Sequence, residues 1–250
     1  MAPRRPAGSA GEELTLEGVD LTEADFALRR IRYLAVAGSR FTRCDFSGIR
    51  VAQGGTFGAG GEYSEYIDCM FDKARLKHMR SGRATFVRCS FRDVLVDGLH
   101  CQGGGEFIDC IFSGTLKDAI FIGKVLRYEG MVPNPKEELE FRGNDFSAAK
   151  LDNIAFRNGI DLNQQRFPSG PDHLVVPDAT RVLPRAMEII DGWPNDGRDK
   201  RRARIKLRVA LEDAESGQQN VFLGLADQKD PTLGPAVADA VAQAVAELKS

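Results

Sequence analysis

An excess of charge of either sign is what this 250-residue sequence most lacks: 34 Lys+Arg stand against 36 Asp+Glu, a net charge of −2. Near-neutrality argues against gross electrostatic capture of nucleic acid or of an anionic membrane, and equally against a strongly acidic surface. No apolar run approaches the roughly 18 residues a membrane helix needs, so no membrane association is expected. The opening stretch, MAPRRPAGSAGEE, has basic residues but no apolar segment behind them, unlike a secretory leader. Histidine is scarce, with only His78, His100 and His173. His100 precedes Cys101, but no second Cys or His follows at ligand spacing, so neither a metal nor a cofactor is expected. The cysteines number five, an odd count, and form no CxxC pair. Reduced thiols and a cytoplasmic location follow as expectations. The glycine-rich stretches at 53–55 and 103–105 lack the Lys-Ser/Thr of a phosphate loop and read as turns.

What is present is a period of five. Stepping from Leu16 gives Leu21, Phe26, Ile31, Val36, Phe41, Phe46 and Val51, all apolar. After a glycine-rich interruption the register resumes at Tyr66, Phe71, Leu76, Ser81, Phe86, Phe91, Val96 and Cys101. It then runs through Phe107, Phe112, Lys117 and Ile122, and finally Phe141, Phe146, Leu151 and Phe156. Eleven of the 15 phenylalanines fall on these positions. Such a period fits neither a helix at 3.6 nor a strand at 2. It describes a chain that bends every five residues, so that four bends close a coil of 20. Each central residue points inward, and so does the residue two before it, at a tight corner. That corner holds Ala24, Ser39, Cys44, Ser64, Cys69, Ala74, Ala84, Cys89, Gly105, Cys110 and Ala149, most of them small. Leu14, Val19, Leu34, Ile49, Met79 and Leu99 are larger exceptions. FTRCDF (41–46), YIDCMF (66–71), FVRCSF (86–91) and FIDCIF (107–112) repeat one coil apart, allowing for insertions at glycines.

The triplets Ala24-Asp25-Phe26, Cys44-Asp45-Phe46 and Asn144-Asp145-Phe146 resemble the A(D/N)L motif of the pentapeptide-repeat family, with Phe at the centre. The resemblance implies a mainly β chain, a right-handed quadrilateral β-helix of about six coils with a phenylalanine core. Some members of that family resemble DNA in shape and charge and bind DNA gyrase. This chain departs from them in its neutral charge.

The domain reading that follows is a disordered tail at 1–13, the solenoid at 14–160 with insertions at 52–62 and 123–139, a linker at 161–177, and a small helical region at 178–250. Apolar stripes mark helices ending near Asp191, over 198–216 and over 235–249. They are expected either to cap the open end of the solenoid or to join two copies as a homodimer. The run 198–208 is the most basic stretch, and Arg201, Arg202, Arg204 and Arg208 are the candidate partner contacts. Cys44, Cys69, Cys89 and Cys110 sit at inward corners, where cysteine behaves as a small apolar residue. Asp45, Asp68, Asp93 and Asp109 recur near turns but read as outward solubilising groups, not as paired carboxylates for sugar chemistry. No catalytic residue is assigned. The functional expectation is a non-enzymatic protein-interaction scaffold that presents its solenoid surface to a protein partner, with nucleic acid an unlikely ligand. The alternative is a modulator of a nucleic-acid enzyme such as DNA gyrase, acting by DNA mimicry or through the basic helix.

Overall fold

The computed structural model describes residues 11–125, 134–194, 197–226 and 232–249. Residues 1–10 of the expected tail and 126–133 of the expected insertion lie outside them.

The five-residue register builds a solenoid of parallel rungs. An eight-stranded and a six-stranded parallel sheet form its walls. In the latter, Leu21, Phe41, Tyr66, Phe86, Phe107 and Phe141 are direct partners in order. Six rungs therefore stand about five turns from first to last. Phenylalanines fill the interior as a stack. Phe26, Phe46, Phe71, Phe91, Phe112 and Phe146 lie face to face with centroid spacings of 4.8, 4.8, 4.8, 4.9 and 4.5 Å. That spacing is set by the hydrogen-bonded rungs, and offset stacking is favourable there. All 15 phenylalanines belong to or pack on this single core.

The corners need left-handed backbone, and side-chain-bearing residues adopt it: Glu23, Arg43, Asp68, Arg88 and Asp109 have φ of 56°, 51°, 53°, 51° and 54°. Isolated, each would be strained by about 1 kcal/mol. Here each N–H donates to a carbonyl of the next coil at 2.8–2.9 Å, so the strained corner is locked by the stack.

Three expectations require correction within the solenoid. The segment 52–62 is not simply a loop: Gly55–Ala59 is a strand between strands Arg30–Ala37 and Arg75–Arg80, and it buries Phe57. Its glycines mark close backbone approach. A Cβ on Gly55 would lie 2.2 Å from the Leu34 carbonyl oxygen, and one on Gly58 2.1 Å from that of Arg83. The inward residues after Phe112 are Leu116 and Phe121, not Lys117 and Ile122. The register drops one residue at Gly114, whose φ of +86° lets the chain skip ahead. Lys117 consequently faces solvent, while Ile122 is buried all the same. Finally, the first strand starts at Glu12, inside the expected tail.

The expected linker also carries structure. A turn at Leu162–Gln164 closes the last coil, and strand His173–Val176 pairs antiparallel with Val221–Gly224, a strand inside the region expected to be all helix. Helices α1 (Ala179–Asp191), α2 (Arg198–Glu215) and α3 (Leu233–Glu247) pack around a second core of alanine, valine and leucine with Ile190. The two cores meet at Phe222, which packs edge-on against Phe156 and beside Phe167 at centroid distances of 5.4 and 5.1 Å. Gln218 fastens the joint: its buried carbonyl oxygen accepts the N–H groups of Gly159 and Ile160, each at 3.1 Å, and its amide donates to Ile160 O at 2.6 Å and to Asn220 O. Arg157 adds an ion pair to Asp213 at 2.9 Å. The strand pair thus covers the C-terminal end of the phenylalanine stack.

Candidate interaction surfaces

The inward cysteines explain themselves. Cys44, Cys69, Cys89 and Cys110 form one column, and each thiol donates to a carbonyl of the coil before it: Leu21 at 3.4 Å, Phe41 at 3.4 Å, Tyr66 at 3.2 Å and Phe86 at 3.5 Å. Asn144 and Gln165 continue the column with amides, which donate to Phe107 O at 2.8 Å and Phe141 O at 2.9 Å. All five cysteines are free and buried. Burial pushes the Cys89 thiol well up and that of Cys101 to about 12, which holds both as unreactive thiols. Among the described residues no three His, Cys, Asp or Glu side chains gather as a metal site. Among the described residues no helix is long and apolar enough to cross a membrane.

With the interior filled, the surfaces carry what variation remains. On one corner the exposed charges alternate coil by coil. Arg43 pairs with Glu23 at 3.0 Å, Arg88 with Asp68 at 2.7 Å, and Arg142 approaches Asp109 at 3.7 Å. The Arg88 hydrogen bond holds the Asp68 carboxyl below its ordinary value. Across the sheet, Arg30, Arg50 and Arg75 are direct neighbours on successive rungs, all exposed.

Helix α2 is sealed on one side by Ala203, Leu207, Ala210, Leu211 and Ala214. Its outer side does not continue in purely polar residues. Ile205 and Val209, one turn apart, are 58% and 47% exposed. They share a shallow groove of about 650 Å³ with Met187, Arg201, Arg204 and Arg208. The four candidate arginines therefore separate. Arg201 and Arg208 stand on the open face, where Arg208 approaches Glu212, one turn on, at 3.8 Å. Arg204 lines the groove too, but it is ion-paired to Asp191 at the end of α1. Arg202 turns toward a different cleft, shared with Asp152, Arg157 and Asp213 at the end of the solenoid. The sequence held a signal for Ile205 and Val209: both lie off the apolar stripe, four residues apart, on the opposite side of the helix. The signal for Arg30, Arg50 and Arg75 was an arginine placed just before three successive inward residues, Ile31, Val51 and Leu76.

No protein-family model matches the sequence. No curated protein matches it. Among solved structures, a trypsin-treated variant of QnrB1, a plasmid-mediated fluoroquinolone resistance protein, is similar over 64% of this chain and 80% of its own, at 20% identity and a TM-score of 0.35. A pentapeptide repeat protein, Rfr23, from the cyanobacterium Cyanothece 51142, is similar over 61% of this chain and 87% of its own, at 11% identity and a TM-score of 0.21. The five-residue register and the rungs stacked in parallel make this chain a five-residue-repeat β-solenoid, the fold that the resemblance to the pentapeptide-repeat family implied.

Proposed function

We propose that the protein is a non-enzymatic recognition scaffold that works as a dimer, joined through α2 so that both solenoids are free to present their surfaces. The outer face of α2 is the observation that carries this reading. It bears Arg198 and Arg201 at its start, Ile205 and Val209 in the middle, and Glu212 and Glu215 at its end, all exposed. Two copies crossing antiparallel about a twofold axis near Leu207 would set Arg201 against Glu212 of the second copy and Arg198 against its Glu215. Ile205 and Val209 would close on each other at the centre. A twofold contact must be self-complementary, and this charge order is.

Modulation of a nucleic-acid enzyme is the less supported reading. A DNA-like surface calls for acidic side chains repeated along one column. The corner column alternates in sign, and the Arg30 column is basic. A helix built to grip phosphates would have no use for exposed Ile205 and Val209 between its arginines.

Sedimentation equilibrium on the full chain tests the dimer. Ile205→Asp should give monomer. Arg201→Glu and Glu212→Arg should each weaken association at least tenfold, and the double exchange should restore it. A wild-type protein that stays monomeric at tens of micromolar, or a double exchange that restores nothing, would overturn the dimer. Hydrolysis of a generic ester, phosphate or glycoside, abolished by one point substitution, would overturn the non-enzymatic reading.

A further inference from the structure

The solenoid charges its surface in two ways with the same geometry. Side chains on successive rungs are about 4.8 Å apart. Where the chain alternates sign, as in Glu23, Arg43, Asp68 and Arg88, neighbours pair. Where it places Arg30, Arg50 and Arg75 in direct register, like charges stand side by side, which is unfavourable. Lys73 is exposed just before Arg75, and Lys77 and Arg80 are exposed on the strand that Arg75 opens. None of these six cations has an ion-pair partner among the described residues. Asp97 stands opposite Lys77 in register, and Asp93 is the one carboxylate among the described residues that line the groove beside the arginines.

Beside the arginines lies a groove of about 640 Å³, lined by Leu28, Gly48, Arg50, Lys73, Arg75 and Leu95. Its rims are apolar. Leu28 is 78% exposed and Leu95 is 42% exposed. Gly48 keeps the floor low: at its φ of +65°, an added Cβ would lie 2.7 Å from Leu28 Cδ2. Exposed leucines at both ends of a depression, with a row of unneutralised guanidinium groups along its side, form one composite surface.

We propose that this groove binds an extended acidic peptide segment whose carboxylates neutralise Arg30, Arg50 and Arg75 and whose apolar side chains cover Leu28 and Leu95. The occupant follows from charge and from the rims. Carboxylates relieve the stacked arginines, and guanidinium groups hold them with two parallel hydrogen bonds. A nucleic acid strand would offer phosphates as well, but its bases seek aromatic platforms, and the groove offers leucines. This site is separate from α2 and does not depend on the dimer.

The test uses the full chain and three fluorescent probes: a peptide alternating glutamate and leucine, poly-glutamate of equal length, and oligo(dT). The alternating peptide should bind best, with affinity falling as salt rises. Arg50→Glu and Arg75→Glu should each weaken it at least tenfold. Leu28→Ser should weaken it several-fold while leaving poly-glutamate unchanged. Arg43→Glu, on the alternating corner, should change little. Because Arg50 is exposed and unpaired, Arg50→Glu should melt no lower than wild type, and the Ile205→Asp monomer should bind the peptide as well as the dimer does. Tighter binding of oligo(dT) than of the peptide would overturn the peptide assignment. Binding unaffected by Arg50→Glu and Arg75→Glu, or a clear fall in melting temperature on Arg50→Glu, would overturn the site itself.

Discussion

The solenoid and the helical unit reach stability by opposite means. The solenoid repeats one solution: a phenylalanine ring every coil, 4.5–4.9 Å from the next, with each strained corner held by the coil above. The helical unit has no repeat. Ala179, Ala186, Ala203, Ala210, Ala214, Ala240 and Ala244 let its three helices approach closely, and valines, leucines and Ile190 fill the space between them. Regular stacking spreads stability along the rod as a sum of neighbour contacts. The helical unit concentrates it, and the joint between the two rests on Gln218, Phe222 and the Arg157–Asp213 pair.

Truncation of the stack should have the largest effect. Phe91→Ala should cost about 3–5 kcal/mol, because both ring neighbours lose a face and the interior has no room to collapse. Phe26→Ala, at the first coil with one stacked neighbour, should cost visibly less in the same urea titration. Equal losses would mean that the rod does not add up rung by rung. Gln218→Leu comes next, at about 2 kcal/mol, since it leaves the N–H groups of Gly159 and Ile160 without their buried acceptor. Calorimetry should then resolve two transitions in place of one merged transition. A single unchanged transition would place the joint elsewhere.

Thiol labelling sharpens the contrast without a substitution. The native protein should react slowly at all five cysteines and quickly once unfolded, because every thiol is in the solenoid and buried. Fast native labelling at any two would show that the column breathes. The smallest effect is electrostatic. Asp68 is held low by Arg88, so its contribution is present above the ordinary carboxylate value and is lost as pH falls through the lowered one. For so exposed a pair it should amount to a few tenths of a kcal/mol. Asp213, at the joint, runs the other way. Burial raises it despite Arg157, so its protonation on acidification favours the folded state. Its contribution falls as pH rises through the raised value. Asp68→Asn should reduce the acid loss of stability, and Asp213→Asn should steepen it. Shifts of the same sign for both would show that the rod and the joint titrate alike.

The stack was legible because every fifth residue kept its character and phenylalanine marks the interior so strongly. The register after Phe112 was not. One residue dropped at Gly114 leaves no composition signal beyond a single lysine, Lys117, at a position where the register calls for an inward residue. Phe57 was hidden for a related reason. Glycine serves loops and close backbone contacts alike, and only the position of the Leu34 and Arg83 carbonyls shows which applies at Gly55 and Gly58. The helices were readable from their stripes. The strands His173–Val176 and Val221–Gly224 were not, because each is four residues long and its only partner is far along the chain. The four arginine candidates lie on one helix, but the basic run did not show that they point to different sides of it. Arg202 and Arg204 differ from Arg201 by one turn or less, and that rotation decides which of them reaches the groove on α2 and which the cleft at the end of the solenoid.

The backbone hydrogen bonds of the solenoid run along its axis, from coil to coil. Mechanically, that makes the rod a stiff column: lengthening it means parting a whole rung at once, and bending it means opening one wall while crowding rings on the other. Anything fixed to its side therefore keeps a set distance from anything fixed to its end. Two rods held end to end would offer their grooves as a rigid pair, at a separation that the linker of any bivalent ligand must span. For such a ligand, the second attachment would depend on that fixed span more than on the strength of either contact alone.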